Sequence, residues 1–199
     1  MDKKLYLSGF LVLILIMAII FLVVVMVKSG EKENEVTKEI AVFETTQGTF
    51  EIELDRNSAP ITVENFVNYV KAGFYDGTVF HRVIPDFVAQ AGGYTADGVS
   101  KQRGSPILLE SKNGLSNKLG TVAMARTMIE NSATSEFYVN LKDNLFLDYG
   151  PETAGYAVFG KVVKGMDIIF AIAKLPTKTK YGMEEWPVQD VIITKAYMK

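Results

Sequence analysis

The sequence feature that most constrains the fold is the run Val79–Gly93, which reads VFHRVIPDFVAQAGG. Its two apolar parts are separated by Pro85-Asp86 and end at a Gly-Gly pair, a pattern that indicates two buried strands joined by a tight corner. Arg82 lies inside the first part. A buried charge without a partner costs several kcal/mol, so this side chain must reach water or spend its donors on a specific partner. The run alone leaves open whether Arg82 is an ordinary salt-bridged arginine or a guanidinium at the rim of an apolar pocket.

The N-terminal part of the chain differs in composition from the rest. Leu5 to Val27 contains no charged residue, and a helix of that length is about 34 Å long, enough to cross a hydrocarbon layer of about 30 Å. The run is longer than that of a secretory signal and lacks a small-residue cleavage motif, which favours an uncleaved signal anchor over a cleaved signal peptide. Two lysines precede it, so the positive-inside rule predicts that the C-terminal part is exported. We therefore predict a transmembrane helix within residues 1–28, a polar tether over 29–39 and a folded domain over 40–199.

The composition argues against several classes of function. The chain has no cysteine, one histidine and a net charge of −2, which excludes a disulfide scaffold and thiolate chemistry and gives no sign of a nucleic-acid partner. The histidine, His81, lies in an apolar strand pattern without a G-x-S-x-G or P-loop motif nearby, so a structural role is favoured over a catalytic one. One histidine and no cysteine also argue against a zinc site, because such sites draw mainly on several of these ligands. Aromatic, aliphatic, amide and guanidinium groups remain, and these suit binding and conformational work better than bond cleavage.

Short strand patterns dominate the predicted domain. Alternation of Phe50, Ile52 and Leu54 with glutamates predicts a hairpin over Ile40–Leu54. Apolar residues at helical spacing predict one helix that is capped by Thr62 and ends at Gly73, and a second helix over Gly165–Lys174. Further strands are predicted over Gly120–Arg126, Ser135–Leu141, Tyr156–Val163 and Asp190–Tyr197. Many short strands with only two helices indicate a single antiparallel barrel or sandwich rather than a βαβ sheet.

Four segments, taken in order, resemble one known family. They read FHRVIPDFVAQAGG, GTVAMART, NSATSEFYVNLKDNLFLD and GYAVFGKVVKGMD, and together they resemble the cyclophilin family of peptidyl-prolyl cis-trans isomerases, nearest to its compact bacterial type. The resemblance extends over roughly Ile40 to Lys199. It implies a mainly β fold, namely a closed eight-stranded antiparallel barrel capped by two α-helices, here preceded by the predicted transmembrane helix.

The resemblance also implies a site. Arg82 would be the catalytic arginine, with Gln90 and Glu136 beside it. Ala125 and Arg126 would run along the bound peptide. The remaining positions would form the pocket for the proline ring and its rim; they are Phe87, Val88, Tyr138, Phe146, Leu147 and Tyr156.

Four positions depart from the better-known eukaryotic pattern. Phe146 stands where a tryptophan favours cyclosporin binding and Tyr156 where that group has histidine, so only weak cyclosporin binding is expected. Val88 replaces a methionine of the pocket wall. Glu136 replaces a glutamine, and its carboxylate could either pair with Arg82 and compete with the substrate or orient the guanidinium.

The resemblance predicts a prolyl isomerase that is monomeric, needs no cofactor or metal, and assists the folding of exported proteins by acting on proline-containing peptides. The alternative is a docking module for proline peptides on the same barrel, whose activity Val88 and Glu136 have weakened. Turnover of a proline peptide distinguishes the two, because both would bind it. A barrel that holds a small apolar ligand is less favoured, since small closed barrels are often filled by their own side chains.

Overall fold

The computed structural model of the protein describes residues 16–22 and 38–199. Residues 16–22 are helical and exposed. Within these two ranges no helix combines the length and apolar content needed to cross a membrane. The rest of the predicted anchor and nearly all of the predicted tether lie outside the described residues, so both stay predictions. Lys38–Lys199 forms a compact unit of its own.

This unit contains ten strands and two α-helices within residues 38–199. In chain order they are β1 (Ile40–Thr45), β2 (Gly48–Leu54), α1 (Pro60–Lys71), β3 (Thr78–Ile84), β4 (Val88–Thr95), β5 (Thr121–Met124), β6 (Phe137–Asn140), a 3-10 helix (Leu145–Leu147), β7 (Val158–Lys164), α2 (Met166–Ala173), β8 (Thr177–Lys180), β9 (Met183–Pro187) and β10 (Ile193–Met198).

Eight strands form one antiparallel sheet that curls into a nearly closed barrel. Their order is β10-β1-β2-β7-β5-β6-β4-β3. The two edge strands approach each other where Val79 of β3 bridges to Ile192 and where the Phe80 N–H donates to the Val191 carbonyl at 3.0 Å. Pairing the two edges protects them from adding strands of other molecules. The prediction of an eight-stranded antiparallel barrel is confirmed, and the sandwich is not formed.

The interior of the barrel is filled mainly by aromatic side chains. Phe43, Phe137 and Phe159 from the strands are fully buried. Phe66 of α1 packs among them, with its ring centroid 4.8 Å from that of Phe159. Ile169 of α2 joins the same core. One face of each barrel strand and one stripe of each helix therefore build the core, as their sequence periodicity predicts.

Helix α1 is capped by a residue distant in sequence. The prediction that Thr62 caps the helix is wrong, because α1 begins at Pro60 and its cap position, Ala59, forms no side-chain hydrogen bond. The Glu110 carboxylate instead accepts hydrogen bonds from the Ile61 and Thr62 backbone N–H groups and from the Thr62 hydroxyl, at 2.7–3.1 Å. A negative charge at this position also interacts favourably with the helix dipole.

The Gly-Gly pair does not end β4, which continues to Thr95. Gly92 has a positive φ of 91°, and a Cβ there would lie 2.8 Å from the Ser135 carbonyl oxygen. A Cβ at Gly93 would lie 2.6 Å from the Glu136 side chain. The glycines thus allow the segment that contains Ser135 and Glu136 to approach the strand closely.

A separate hairpin, β8-β9, was not predicted. Its turn contains Tyr181 and Gly182, both with positive φ, as a type I′ turn requires. Trp186 of β9 is fully buried, and its indole N–H donates to Asp190 at 2.7 Å. The sequence signal is weak because β8, a Thr-Lys-Thr-Lys segment, is short and mostly exposed.

Candidate active site

A second apolar cluster lies on the outer face of the barrel. Side chains alternate between the two faces along a strand, so the neighbours of core residues on β4, β5, β6 and β7 face outwards. The buried members of this outer cluster are Val88, Ala123, Tyr138 and Val158, and the partly exposed members packed against them are Phe87, Leu115, Ala125, Leu147 and Tyr156. The structure therefore brings together the pocket residues that the resemblance implied.

Strand register places Arg82 beside the outer cluster. Arg82 of β3 is paired with Gln90 of β4, Gln90 with Tyr138 of β6, and Tyr138 with Ala123 of β5. Residues directly opposite one another in a sheet share a face, so these four form one row across the outside of the barrel. The Arg82 guanidinium carbon lies 5.8 Å from the centre of the Phe87 ring. A cation therefore stands at the margin of an apolar surface.

The 3-10 helix supplies another side of the cluster. The Phe146 ring is 66% exposed and stacks on Phe87 with ring centroids 5.8 Å apart. Leu147 accepts a backbone hydrogen bond from the Tyr156 N–H at 2.9 Å, which fixes Tyr156 beside it. Phe146 is thus at the rim of the cluster, whereas Leu147 and Tyr156 belong to it.

Ala125 and Arg126 lie next to Tyr156. The Ala125 N–H donates to the Glu136 carbonyl at 2.9 Å, which ties this segment to β6. The Arg126 Nε donates to the Gly155 carbonyl at 2.8 Å, and its guanidinium lies 4.6 Å from the centre of the Tyr156 ring. The Arg126 side chain therefore holds Tyr156 in place.

A buried hydrogen-bond network supports the floor of the cluster. The Tyr138 hydroxyl donates to the Asn117 side-chain carbonyl at 2.8 Å, and the Asn117 amide donates to Asp148 at 2.9 Å. Burial, followed by the nearby Tyr156 and Asp148, raises the pKa of Tyr138 well above its ordinary value, so the hydroxyl stays protonated. Sequence reasoning missed Asn117, since it lies in a long polar segment without periodicity.

Glu136 is not bonded to Arg82. Its carboxylate accepts a hydrogen bond from the Gln90 amide at 2.7 Å, and it lies 3.2 Å from His81 Nε2 and 2.7 Å from Arg103 Nη2. Burial raises the pKa of Glu136, but His81, Arg103 and Gln90 together outweigh burial and hold the pKa below its ordinary value. Neither expected contact with Arg82 forms, because these three groups occupy the carboxylate.

Arg82 instead pairs with Glu185 of the unpredicted hairpin. The Arg82 Nε donates to a Glu185 carboxylate oxygen at 3.0 Å, and both side chains are 38% exposed. Arg82 is therefore salt-bridged and also lies at the rim of an apolar cluster, so the two interpretations of the Val79–Gly93 run are both correct.

Comparisons with known proteins agree with this architecture. The family model of the cyclophilin type peptidyl-prolyl cis-trans isomerase/CLD matches residues 40–198. The chain belongs to the cyclophilin family. Among its curated cyclophilin relatives, a peptidyl-prolyl cis-trans isomerase of Acinetobacter baylyi is 51% identical over 156 residues, which cover 78% of this chain and 82% of the relative. Peptidyl-prolyl cis-trans isomerase A of Dickeya dadantii is 47% identical over 152 residues, which cover 76% of this chain and 80% of the relative.

A solved structure shows the same cyclophilin fold. It is a cyclophilin type peptidyl-prolyl cis-trans isomerase of Cryptosporidium parvum, determined in the presence of the dipeptide Ala-Pro. It superposes on this chain with a TM-score of 0.67 and is 21% identical in sequence. The match covers 80% of this chain and 98% of the Cryptosporidium chain. This likeness concerns the fold alone.

This cyclophilin is a peptidyl-prolyl cis-trans isomerase, since curated relatives that share about 50% of its residues over most of both chains are named for that activity. The main ground for expecting a weakened docking module was competition by Glu136 for Arg82. That ground disappears, because Glu136 is bonded to other groups.

Proposed function

We propose that Arg82 is the catalytic residue and that the outer cluster holds the proline ring of the substrate. One observation carries this proposal. The strand register aligns Arg82 with Gln90, Tyr138 and Ala123 in one row, and this row brings the guanidinium beside the outer cluster. The Ala-Pro dipeptide present with the Cryptosporidium relative supports proline-containing peptides as the ligands.

The proposed role of Arg82 follows from the energetics of the X-Pro bond. The cis and trans forms differ by only about 0.5–1 kcal/mol, but rotation breaks amide resonance, and the barrier is about 18–20 kcal/mol. In the twisted transition state the prolyl nitrogen becomes pyramidal and regains a lone pair. A donor aimed at this nitrogen binds the twisted state better than the planar one, which lowers the barrier. A guanidinium always carries such donors, because it stays protonated in proteins.

The outer cluster would hold the ring while the acyl side rotates. Phe87, Tyr138 and Leu147 offer an apolar surface that suits the pyrrolidine ring. Water excluded by the bound ring leaves a lower local dielectric constant, which strengthens the hydrogen bond from the nearby guanidinium. The Tyr138 ring is held in place, because its hydroxyl donates a hydrogen bond to the Asn117 side chain.

Glu136 would act on this site through Gln90. A carboxylate only accepts hydrogen bonds, so it fixes the Gln90 amide with its NH₂ group towards Glu136 and its oxygen turned the other way. An oriented amide next to Arg82 can accept a backbone N–H of the peptide. Glu136 thus contributes to binding without touching the guanidinium.

The test is turnover of an Ala-Pro peptide by the full-length chain, measured by NMR exchange or a protease-coupled assay. We expect Arg82→Ala to lower kcat/KM by about 100-fold, the usual effect of removing one transition-state donor, with an unchanged unfolding midpoint. Arg82→Lys keeps the charge but loses the planar fork and should be intermediate. Near-wild-type turnover by Arg82→Ala would refute the role of this residue.

We also propose that the domain is anchored by residues 1–28 on the outer side of the membrane, where it assists the folding of exported proteins. The uncharged run from Leu5 to Val27 and the two lysines before it support this location. Protease added to intact cells or protoplasts should digest or release the domain while a cytoplasmic marker stays protected. A domain that stays protected until the cells are lysed would contradict its location on the outer side. A domain that is found free in the medium would contradict anchoring.

A further inference from the structure

We infer that Glu185 is a positioning residue for Arg82, an inference that rests on the catalytic role proposed above for this arginine. Glu185 accepts the hydrogen bond of the Arg82 Nε at 3.0 Å. Within residues 38–199 this is the only hydrogen bond of the Arg82 guanidinium to the protein. Because the bond uses Nε, both terminal NH₂ groups stay available to a substrate.

The guanidinium is held from two sides. Glu185 binds its Nε edge, and the Phe87 ring lies 5.8 Å from its carbon. Phe87 is itself stacked against Phe146. The ion pair therefore sets the direction of the Arg82 side chain relative to the outer cluster.

The backbone at Glu185 has an unusual conformation that directs its side chain. Glu185 has a φ of 62°, a left-handed value that is uncommon for a residue with a side chain. In the hairpin, Lys178 pairs with Trp186 but Lys180 pairs with Met183, so β9 carries one residue more than β8 between these pairs. Such a β-bulge turns a side chain away from the regular alternation and is often found beside active sites.

The hairpin gives this bulge firm support. Trp186, the next residue, is fully buried and its indole N–H donates to Asp190 at 2.7 Å. Lys180 forms an ion pair with the same Asp190 at 2.7 Å. The Trp186 ring lies 6.2 Å from His81, the neighbour of Arg82 on β3. The carboxylate of Glu185 is therefore presented to Arg82 from a part of the domain that is packed in place.

Positioning lowers the entropic part of the barrier but has an electrostatic cost. A free arginine side chain samples many rotamers, and ordering it only when the substrate rotates would raise the barrier. A guanidinium fixed beforehand avoids this ordering at the moment of reaction. The negative charge of Glu185, however, also reduces the net positive charge near the prolyl nitrogen. A glutamine at this position keeps an acceptor for Nε without the charge, so it separates the two effects.

The experiment measures kcat and KM of the full-length chain with an Ala-Pro peptide for wild type, Glu185→Ala and Glu185→Gln. We expect Glu185→Ala to lower kcat about threefold to fivefold, the upper part of the range for an exposed ion pair. KM should change little, because the contact of Arg82 matters in the twisted state. Glu185→Gln should recover most of the lost kcat. The matched control is Glu184→Ala, which removes the same charge from the exposed adjacent position and should behave as wild type.

A double-mutant cycle with Arg82→Ala completes the test. If Glu185 acts through Arg82, Glu185→Ala has no further effect in the Arg82→Ala background. Wild-type kcat in Glu185→Ala, or an equal decrease in both backgrounds, overturns the positioning inference while leaving the role of Arg82 intact. Faster turnover in both Glu185 variants would overturn it too, because the charge would then be an inhibitor. Full activity of Arg82→Ala alone would refute the proposed function, and the positioning inference with it.

Discussion

The two faces of the central strands differ in composition and in surroundings. On the inner face, Val122, Phe137 and Val139 belong to a fully buried core that both helices cover. On the outer face of the same strands, Ala123 and Tyr138 belong to a smaller cluster whose margin is partly exposed and adjoins Arg82. Because side chains alternate with a period of two, each strand can serve stability on one face and substrate binding on the other. Substitutions on the two faces should therefore separate folding from activity.

The largest effect is expected on the inner face. Phe66 is fully buried and contacts four aromatic rings, those of Phe43, Tyr75, Phe137 and Phe159, with centroids 4.8–5.9 Å away. Phe66→Ala should lower the free energy of unfolding by about 3–5 kcal/mol, measured by urea denaturation. The activity per folded molecule should be close to that of wild type. A loss of less than about 1 kcal/mol would mean that the core relaxes around the vacated volume.

A smaller effect is expected at Glu136, which accepts a hydrogen bond from Gln90 of the outer row. Its pKa is held below the ordinary value, so the carboxylate stabilises the folded state above its unfolded pKa of about 4.3, and this contribution is lost as the pH falls through the lower folded pKa. Glu136→Gln should cost about 1.5–3 kcal/mol near pH 7, the range for hydrogen bonds to charged groups. The difference from wild type should shrink in acid, as followed by urea denaturation at several pH values. A difference independent of pH would show that charge is not the cause.

The sequence predicted the local parts of this arrangement and missed its long-range contacts. The β3-β4 corner and both helices follow from patterns of a few residues, and so they were predicted. The Arg82–Glu185 pair joins residues 103 positions apart, and the Gln90–Glu136 pair joins residues 46 apart. No periodicity encodes such pairs. They follow from strand register and from a hairpin with mostly polar residues, which only the folded chain reveals.

An effect mainly on binding is expected from Leu147 on the outer cluster. Leu147 is partly exposed and packs beside Phe87, Tyr138 and Tyr156. Leu147→Ala should raise KM for an Ala-Pro peptide about fivefold, because it removes apolar surface worth about 1 kcal/mol from the ring-binding site. The unfolding free energy should fall by less than half of the loss in Phe66→Ala, since the side chain is not enclosed. Equal losses of stability in both variants would contradict the separation of the two faces.

The smallest effect is expected at the rim. Phe146 is exposed and stacks on Phe87, so a larger ring is accommodated there without repacking. Phe146→Trp extends the aromatic surface and adds an indole N–H donor, and we expect cyclosporin to bind about threefold more tightly, at the lower end of the range for an added aromatic contact. Stability should stay within about 0.5 kcal/mol of wild type. Calorimetric titration with cyclosporin measures the change. Unchanged affinity in Phe146→Trp, with a gain in Tyr156→His, would show that the side of the cluster next to Arg126 limits cyclosporin binding rather than the rim.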